Sequence, residues 1–319
     1  MTGPERNQGD AAGRASGGGR QAGAGGGESA GRTPGNRLVA VAEWLLSLDR
    51  RWLFVCVAVA VSLPLFLALK QRVQVTPETR GISESVDRLP PGARVLLACD
   101  YDPSSAAELQ PMTVTFLKQA LSRRLRVIIM GLYPQGPQQA NLALQEALRD
   151  PAVAQHAPRY GVDYVNLGFQ SGNEVVIQRM GSSIPAVFPR DLRGTPIAQL
   201  PIMEGVRDFS SIAYVFEVSA GYPGTVEWVQ FAGDRFHAAL GSGTTAVSAP
   251  LYYTYYPAQL TGLLGGMKAA AEYETVTGFT GKARTYMLSL SLSHIVVVLF
   301  VVLGNLAFLL TLRRRATRR

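Results

Sequence analysis

The run Asp100-Tyr101-Asp102-Pro103-Ser104-Ser105 carries the residues best suited to chemistry in this chain. It follows Arg94 to Cys99, an apolar run of strand length. Two carboxylates one residue apart, just ahead of a helix start, can hold a divalent cation or divide acid and base work between them. Ser105 and Glu108 have capping-box spacing. Capping, with negative charge at the positive end of a helix dipole, explains the same carboxylates without a ligand. Both readings stand at this point, and the metal question stays open with them.

A second candidate is Gly241-Ser242-Gly243-Thr244-Thr245. Glycines and hydroxyls in such a run could cradle an anion on backbone N–H groups. The run lacks the lysine and spacing of a P-loop and does not match the dinucleotide fingerprint. A plain turn or bulge is the simpler account. The densest aromatic run is Tyr252-Tyr253-Thr254-Tyr255-Tyr256. It suits an interfacial belt at a membrane, a protein contact surface, or packing at the mouth of a sheet. His156, His237 and His294 sit in no catalytic motif, and there is no His/Cys zinc spacing. The serines near Gly181 and Gly221 lack the Gly-x-Ser-x-Gly elbow. No catalytic residue is assigned and no cofactor is implied.

Strand and helix signals alternate around these candidates. Strands are expected at 94–100, 127–132, 164–169 and 212–218, with a fifth inside 238–248 interrupted by Gly241-Ser242-Gly243. Helices are expected at 105–124, 138–149, 174–180, 225–236 and 256–273, with an irregular proline-rich stretch at 182–209. Strand-length runs separated by helices imply right-handed βαβ units and a mostly parallel sheet covered on both faces. The expected fold is α/β, a three-layer flavodoxin-like or Rossmann-like domain over residues 90–275. Ligands of such sheets bind beyond the carboxyl ends of the strands.

The ends of the chain are of another kind. Residues 1–36 are rich in Gly, Ala, Arg and Ser, and are expected to be disordered. Residues 37–50 suit a short amphipathic helix. Two apolar runs, 52–69 and 286–312, suit transmembrane helices, and 313–319 form a basic tail. Of the formal net charge of +8, residues 285–319 hold +5 and residues 1–70 hold +3, while the stretch between is neutral. Charge gathered beside apolar runs orients a membrane protein rather than binding nucleic acid. The terminal arginines place the C-terminus, and with two spans the N-terminus, in the cytoplasm, with the α/β domain outside. Inside the second run, Asn305 beside Gly304 points to helix–helix packing. Cys56 falls in the first apolar run and Cys99 in a strand, so no disulfide is expected.

Several stretches resemble uncharacterised prokaryotic two-helix membrane proteins with an α/β domain between the spans. They are Ser47-Leu48-Asp49-Arg50-Arg51, Asp100-Tyr101-Asp102-Pro103, Tyr160-Gly161-Val162-Asp163-Tyr164-Val165-Asn166-Leu167-Gly168, Leu263-Leu264-Gly265-Gly266 and Ala271-Glu272-Tyr273-Glu274. The resemblance implies the same inner-membrane topology and carries no activity. The leading expectation is a non-enzymatic, membrane-anchored module. Its partners would be the lipid bilayer and other membrane proteins or copies of itself. Two alternatives remain: an extracytoplasmic ligand-binding or sensory domain with its pocket at the strand ends, and a metal-assisted hydrolase using Asp100 or Asp102.

Overall fold

The computed structural model describes residues 34–67 and 73–317. The glycine-rich run at 1–33 and the last residues of the first apolar run lie outside the described residues. The chain divides into two units, Met1–Leu48 with Leu303–Arg319, and Asp49–Val302. In the first, helix α1 covers Pro34–Ser47.

The second unit begins with α2 (Arg50–Phe66) and α3 (Pro77–Asp87). Then come β1 (Arg94–Asp100), α4 (Ala106–Ser122), β2 (Arg126–Gly131), α5 (Gly136–Leu148), the short α6 (Pro151–Ala154) and β3 (Tyr164–Phe169). Helices α7 (Glu174–Met180) and α8 (Ile184–Val187) precede an irregular stretch and β4 (Tyr214–Ser219). The short α9 (Thr225–Trp228) continues as a π-helical stretch, Val229–Asp234. The chain closes with β5 (Leu240–Thr244), α10 (Ala249–Tyr252), β6 (Gly262–Gly265), α11 (Gly266–Thr277) and α12 (Ala283–Thr317).

The six strands form one sheet in the order β3-β2-β1-β4-β5-β6, and every pairing is parallel. That is one of the two common doubly wound orders; a flavodoxin sheet has the other, 2-1-3-4-5. The chain starts at the centre, builds outward to β3, and crosses back over β1 to begin β4. The reversal leaves a switch point between the carboxyl ends of β1 and β4.

Parallel sheets are covered on both sides, so their strands read as near-continuous apolar runs. Val95, Leu97, Val127, Ile129, Phe216 and Val218 face one layer, formed by α3, α4, α5 and α11. There Phe116 of α4 stacks on Phe216 with ring centroids 4.5 Å apart. Leu96, Ala98, Ile128, Met130, Val215 and Leu240 face the other layer, with Ile177, Met180, Trp228 and Ile184. Cys99 is a buried free thiol in the sheet, and Cys56 is an exposed one on α2.

Three elements differ from expectation. Residues 256–273 are not one helix: Gly262–Gly265 is a sixth strand, and the helix begins at Gly266. Four residues are too few to show a period, and the alanine-rich helix behind them masks the strand. Helix α3 was not expected, because its composition is polar, yet its Ile82 and Val86 are fully buried. It lies directly on β6. A Cβ added at Gly262 would stand 2.4 Å from the Glu78 carbonyl oxygen and 2.7 Å from the Ile82 nitrogen.

The third difference concerns the membrane. Among the described residues one helix, not two, is long and apolar enough to cross a bilayer: Ala283–Leu312 within α12. The first apolar run forms α2, which Asp49 caps by accepting the Arg51 N–H at 3.0 Å. It covers 17 residues, the lower limit of a span. The start of α12 is tied to the domain, where the Glu274 carboxylate accepts the N–H groups of Ala283 at 2.8 Å and Arg284 at 3.2 Å. Residues 283–293 are mostly partly covered, whereas His294, Ile295, Val297, Val298 and Leu299 are exposed.

The approach of α3 to β6 yields a prediction. Gly262→Ala should lower unfolding stability by about 1–3 kcal/mol, because the clash is with backbone. Gly221→Ala, where an added Cβ meets nothing within 4 Å, should stay within about 0.5 kcal/mol of the parent. Urea unfolding of the full chain in mild detergent checks both.

Candidate functional site at the centre of the sheet

Side chains of one strand face alternate sides, so register decides which polar residues meet. Ala98, Glu217 and Ser242 are partners in register across β1, β4 and β5. One step on, Asp100, Ser219 and Thr244 are partners in the same way. These two rows place five polar side chains together at the carboxyl ends of the central strands, on the side covered by α9. All are buried: Asp100 is 3% exposed, and Glu217, Ser219, Ser242 and Thr244 are 0% exposed.

The Asp100 carboxylate joins three parts of the chain. Its Oδ1 accepts the N–H groups of Leu132 and Tyr133, just past β2. Its Oδ2 accepts the Trp228 indole N–H at 3.4 Å. Glu217 Oε2 accepts the hydroxyls of Thr225 at 3.1 Å and Ser242 at 2.9 Å, and those two hydroxyls lie 2.7 Å apart. Ser219 stands close enough to favour the Glu217 charge. Even so, among the described residues no hydrogen bond of good geometry reaches Glu217 Oε1, Ser219 Oγ or Thr244 Oγ1.

Burial pushes the Asp100 carboxyl up to about 7, against the pull of the Leu132, Trp228 and Tyr133 donors. Burial pushes Glu217 up to about 8, with a smaller contribution from the charge of Asp100. Two perturbed carboxyls at a switch point are a pattern that marks many active sites. Here the pattern is sealed. Trp228 is fully buried against Asp100. The loop after β4 folds down onto the strand end, so a Cβ at Gly224 would stand 2.1 Å from the Gly221 carbonyl oxygen and 2.5 Å from Ser219 Oγ. No described group of three or more His, Cys, Asp or Glu is arranged to hold a metal ion.

The residues singled out in the sequence separate. Asp100, Ser242 and Thr244 enter the buried rows. Asp102 does not: its Oδ1 accepts the N–H groups of Ser104 at 2.9 Å and Ser105 at 3.3 Å. The Ser104 hydroxyl also donates to Oδ1, and it leads these bonds in holding the carboxyl below the ordinary range. Ser105 precedes α4 without a side-chain cap bond, and Glu108 instead accepts the Ala246 N–H at 2.8 Å. The capping box expected from their spacing is therefore not formed.

Gly241 and Gly243 lie inside β5 rather than in a turn, a bulge or an anion cradle. They face the other layer, where Cβ atoms would meet the Tyr214 hydroxyl at 2.0 Å and Met112 Sδ at 3.2 Å. Tyr252 is buried, Tyr253 is exposed, and Tyr255 and Tyr256 are partly covered. Gly304 and Asn305 fall in the far part of α12, within the other unit. Sequence reading missed Glu217, Ser219, Thr225 and Trp228. The available signal was Glu217 itself, a charge inside Tyr-Val-Phe-Glu-Val-Ser, where both neighbours are apolar. Comparison with known protein families, curated proteins and solved structures returned no match.

The raised carboxyls give a pH prediction with a definite sign. The folded state keeps protons that the unfolded chain releases near the ordinary values of 3.8 and 4.5. Stability contributed by these groups therefore falls as pH rises, until about 7 for Asp100 and about 8 for Glu217. Glu217→Gln keeps the shape and removes the titration, so its unfolding midpoint should decline less over that window than the parent's. Equal slopes for the two proteins would show that Glu217 does not carry the effect.

Proposed function

We propose that this chain is a membrane-anchored α/β module acting as a non-enzymatic part of a membrane protein assembly. One observation carries the reading. The edge at which doubly wound sheets take their ligands is filled from within by Trp228 and the buried polar rows, while the chain leaves the domain through a long apolar helix. A ligand at the switch point would have to displace Trp228 and lift the Gly224 loop, which makes the sensory reading the weaker one.

In this proposal α12 spans the bilayer and α2 inserts beside it. Val61 and Leu65 of α2 line one groove together with Leu290 and Ser293 of α12. Around α2, Trp52, Phe54, Val55, Val59 and Leu63 are all exposed, which suits lipid better than water. The arginines after Leu312 set the cytoplasmic side. The α/β domain then lies outside, and both chain ends lie inside. The partners are other membrane proteins or further copies of the chain.

Two measurements test this. A reporter fused after Arg319 should be active only in its cytoplasmic form, and extracytoplasmic activity would invert the topology. Purification in mild detergent should return stoichiometric partners or a homo-oligomer. A clean monomer would overturn the assembly role.

A further inference from the structure

The point at which α12 leaves the domain fixes where a bilayer would begin. Up to Ser293 the helix is mostly part-covered, but Ile295 is 62% and Val298 60% exposed. From Ile295 to Leu312 the run is 18 residues, enough for the hydrocarbon core at a rise of about 1.5 Å per residue. At the exit, Leu290 and Ser293 share a groove of about 570 Å³ with Ala246 and Gly265. Ala246 follows the carboxyl end of β5, and Gly265 is the carboxyl end of β6. Helix α12 therefore departs at the carboxyl edge of the sheet, not at its amino edge.

That edge presents apolar side chains beside the exit. Val247, next to Ala246, is 87% exposed, and Leu251 is 69% exposed. Tyr253 follows, half-exposed. The sequence around them carries no Asp, Glu, Lys or Arg from Ala238 through Met267. A charge-free loop with exposed Val and Leu tips costs free energy in water, and a tyrosine close behind suits the headgroup level.

Resting on the membrane reading above, we infer that the carboxyl edge of the sheet docks on the lipid surface through Val247 and Leu251. The bilayer is the partner, because the loop adjoins the point where the apolar stretch of α12 begins. Docking places the sealed switch point towards the membrane and the amino edge, with Gln155, towards water. The charge-free loop then works as a second, interfacial contact that sets the tilt of the domain over its anchor.

The test uses the full chain in lipid nanodiscs with Cys56→Ser, so that the buried Cys99 is the one native thiol left. Single cysteines replace Val247, Gln155 or Val298, and each carries an environment-sensitive fluorophore. Lipids bearing nitroxides at shallow or deep positions act as quenchers. The Val247 label should lose most of its intensity to the shallow nitroxide and emit to the blue of the Gln155 label. The Val298 label should be quenched by the deep one. Quenching at Val298 with Val247 as bright as Gln155 overturns the docking and leaves the anchor standing. An unquenched Val298 label overturns the anchor, and the docking with it.

Discussion

The buried carboxylate of Asp100 is the tie on which the centre of the sheet depends. It ends β1, holds the backbone just past β2, and receives the indole of the helix that follows β4. In a doubly wound sheet these three segments come from the two halves of the chain, and they meet at the reversal. A carboxylate there is costly to bury unless its lone pairs are filled. Three N–H donors fill them. The same donors pull against burial, so the group is held near neutrality rather than far above it. Glu217 sits in the adjoining row, where burial likewise pushes its carboxyl up, to about 8.

This tie consumes the place where a ligand would otherwise bind. The first βα turn reads Asp100-Tyr101-Asp102-Pro103, with no glycine to let a phosphate approach the backbone, and Tyr101 is itself buried there. The Tyr101 hydroxyl bonds Gln110 at 2.8 Å and Thr113 at 3.0 Å, which keeps the ring inside. The space beyond the ends of β1 and β4 is thus taken up by internal hydrogen bonding.

Much of this fold was legible in the sequence because parallel strands write themselves as unbroken apolar runs. Val95 to Cys99 and Val127 to Met130 needed no periodicity to be found. The glycine-rich β5 and β6 were harder, since glycines 241, 243, 262 and 265 supply no apolar side chain to announce a strand. Their meaning lies in what packs on them, Ile82, Tyr214 and Met112, which are distant in sequence. The buried rows were half legible for the same reason. Asp100 stood out beside a helix start, whereas Glu217 and Ser219 join it through register across strands, which one chain read linearly does not display. The membrane segments were read from hydropathy alone. That found α12, while α2 covers Arg50–Phe66 among the described residues and the last residues of the first apolar run lie outside them.

The first turn of α12 is tied to the domain at several points. Glu274, near the end of α11, grips the two leading N–H groups of α12. Helix α11 in turn springs from β6 with no linker between Gly265 and Gly266. Lys118 of α4 braces the intervening turn by donating to the Thr280 carbonyl at 2.8 Å. The start of α12, the turn before it and α11 are therefore joined by direct hydrogen bonds. If α12 spans a bilayer as proposed, a sideways load on its first turn would pass through these bonds to α11 and α4, and so to the sheet they pack on.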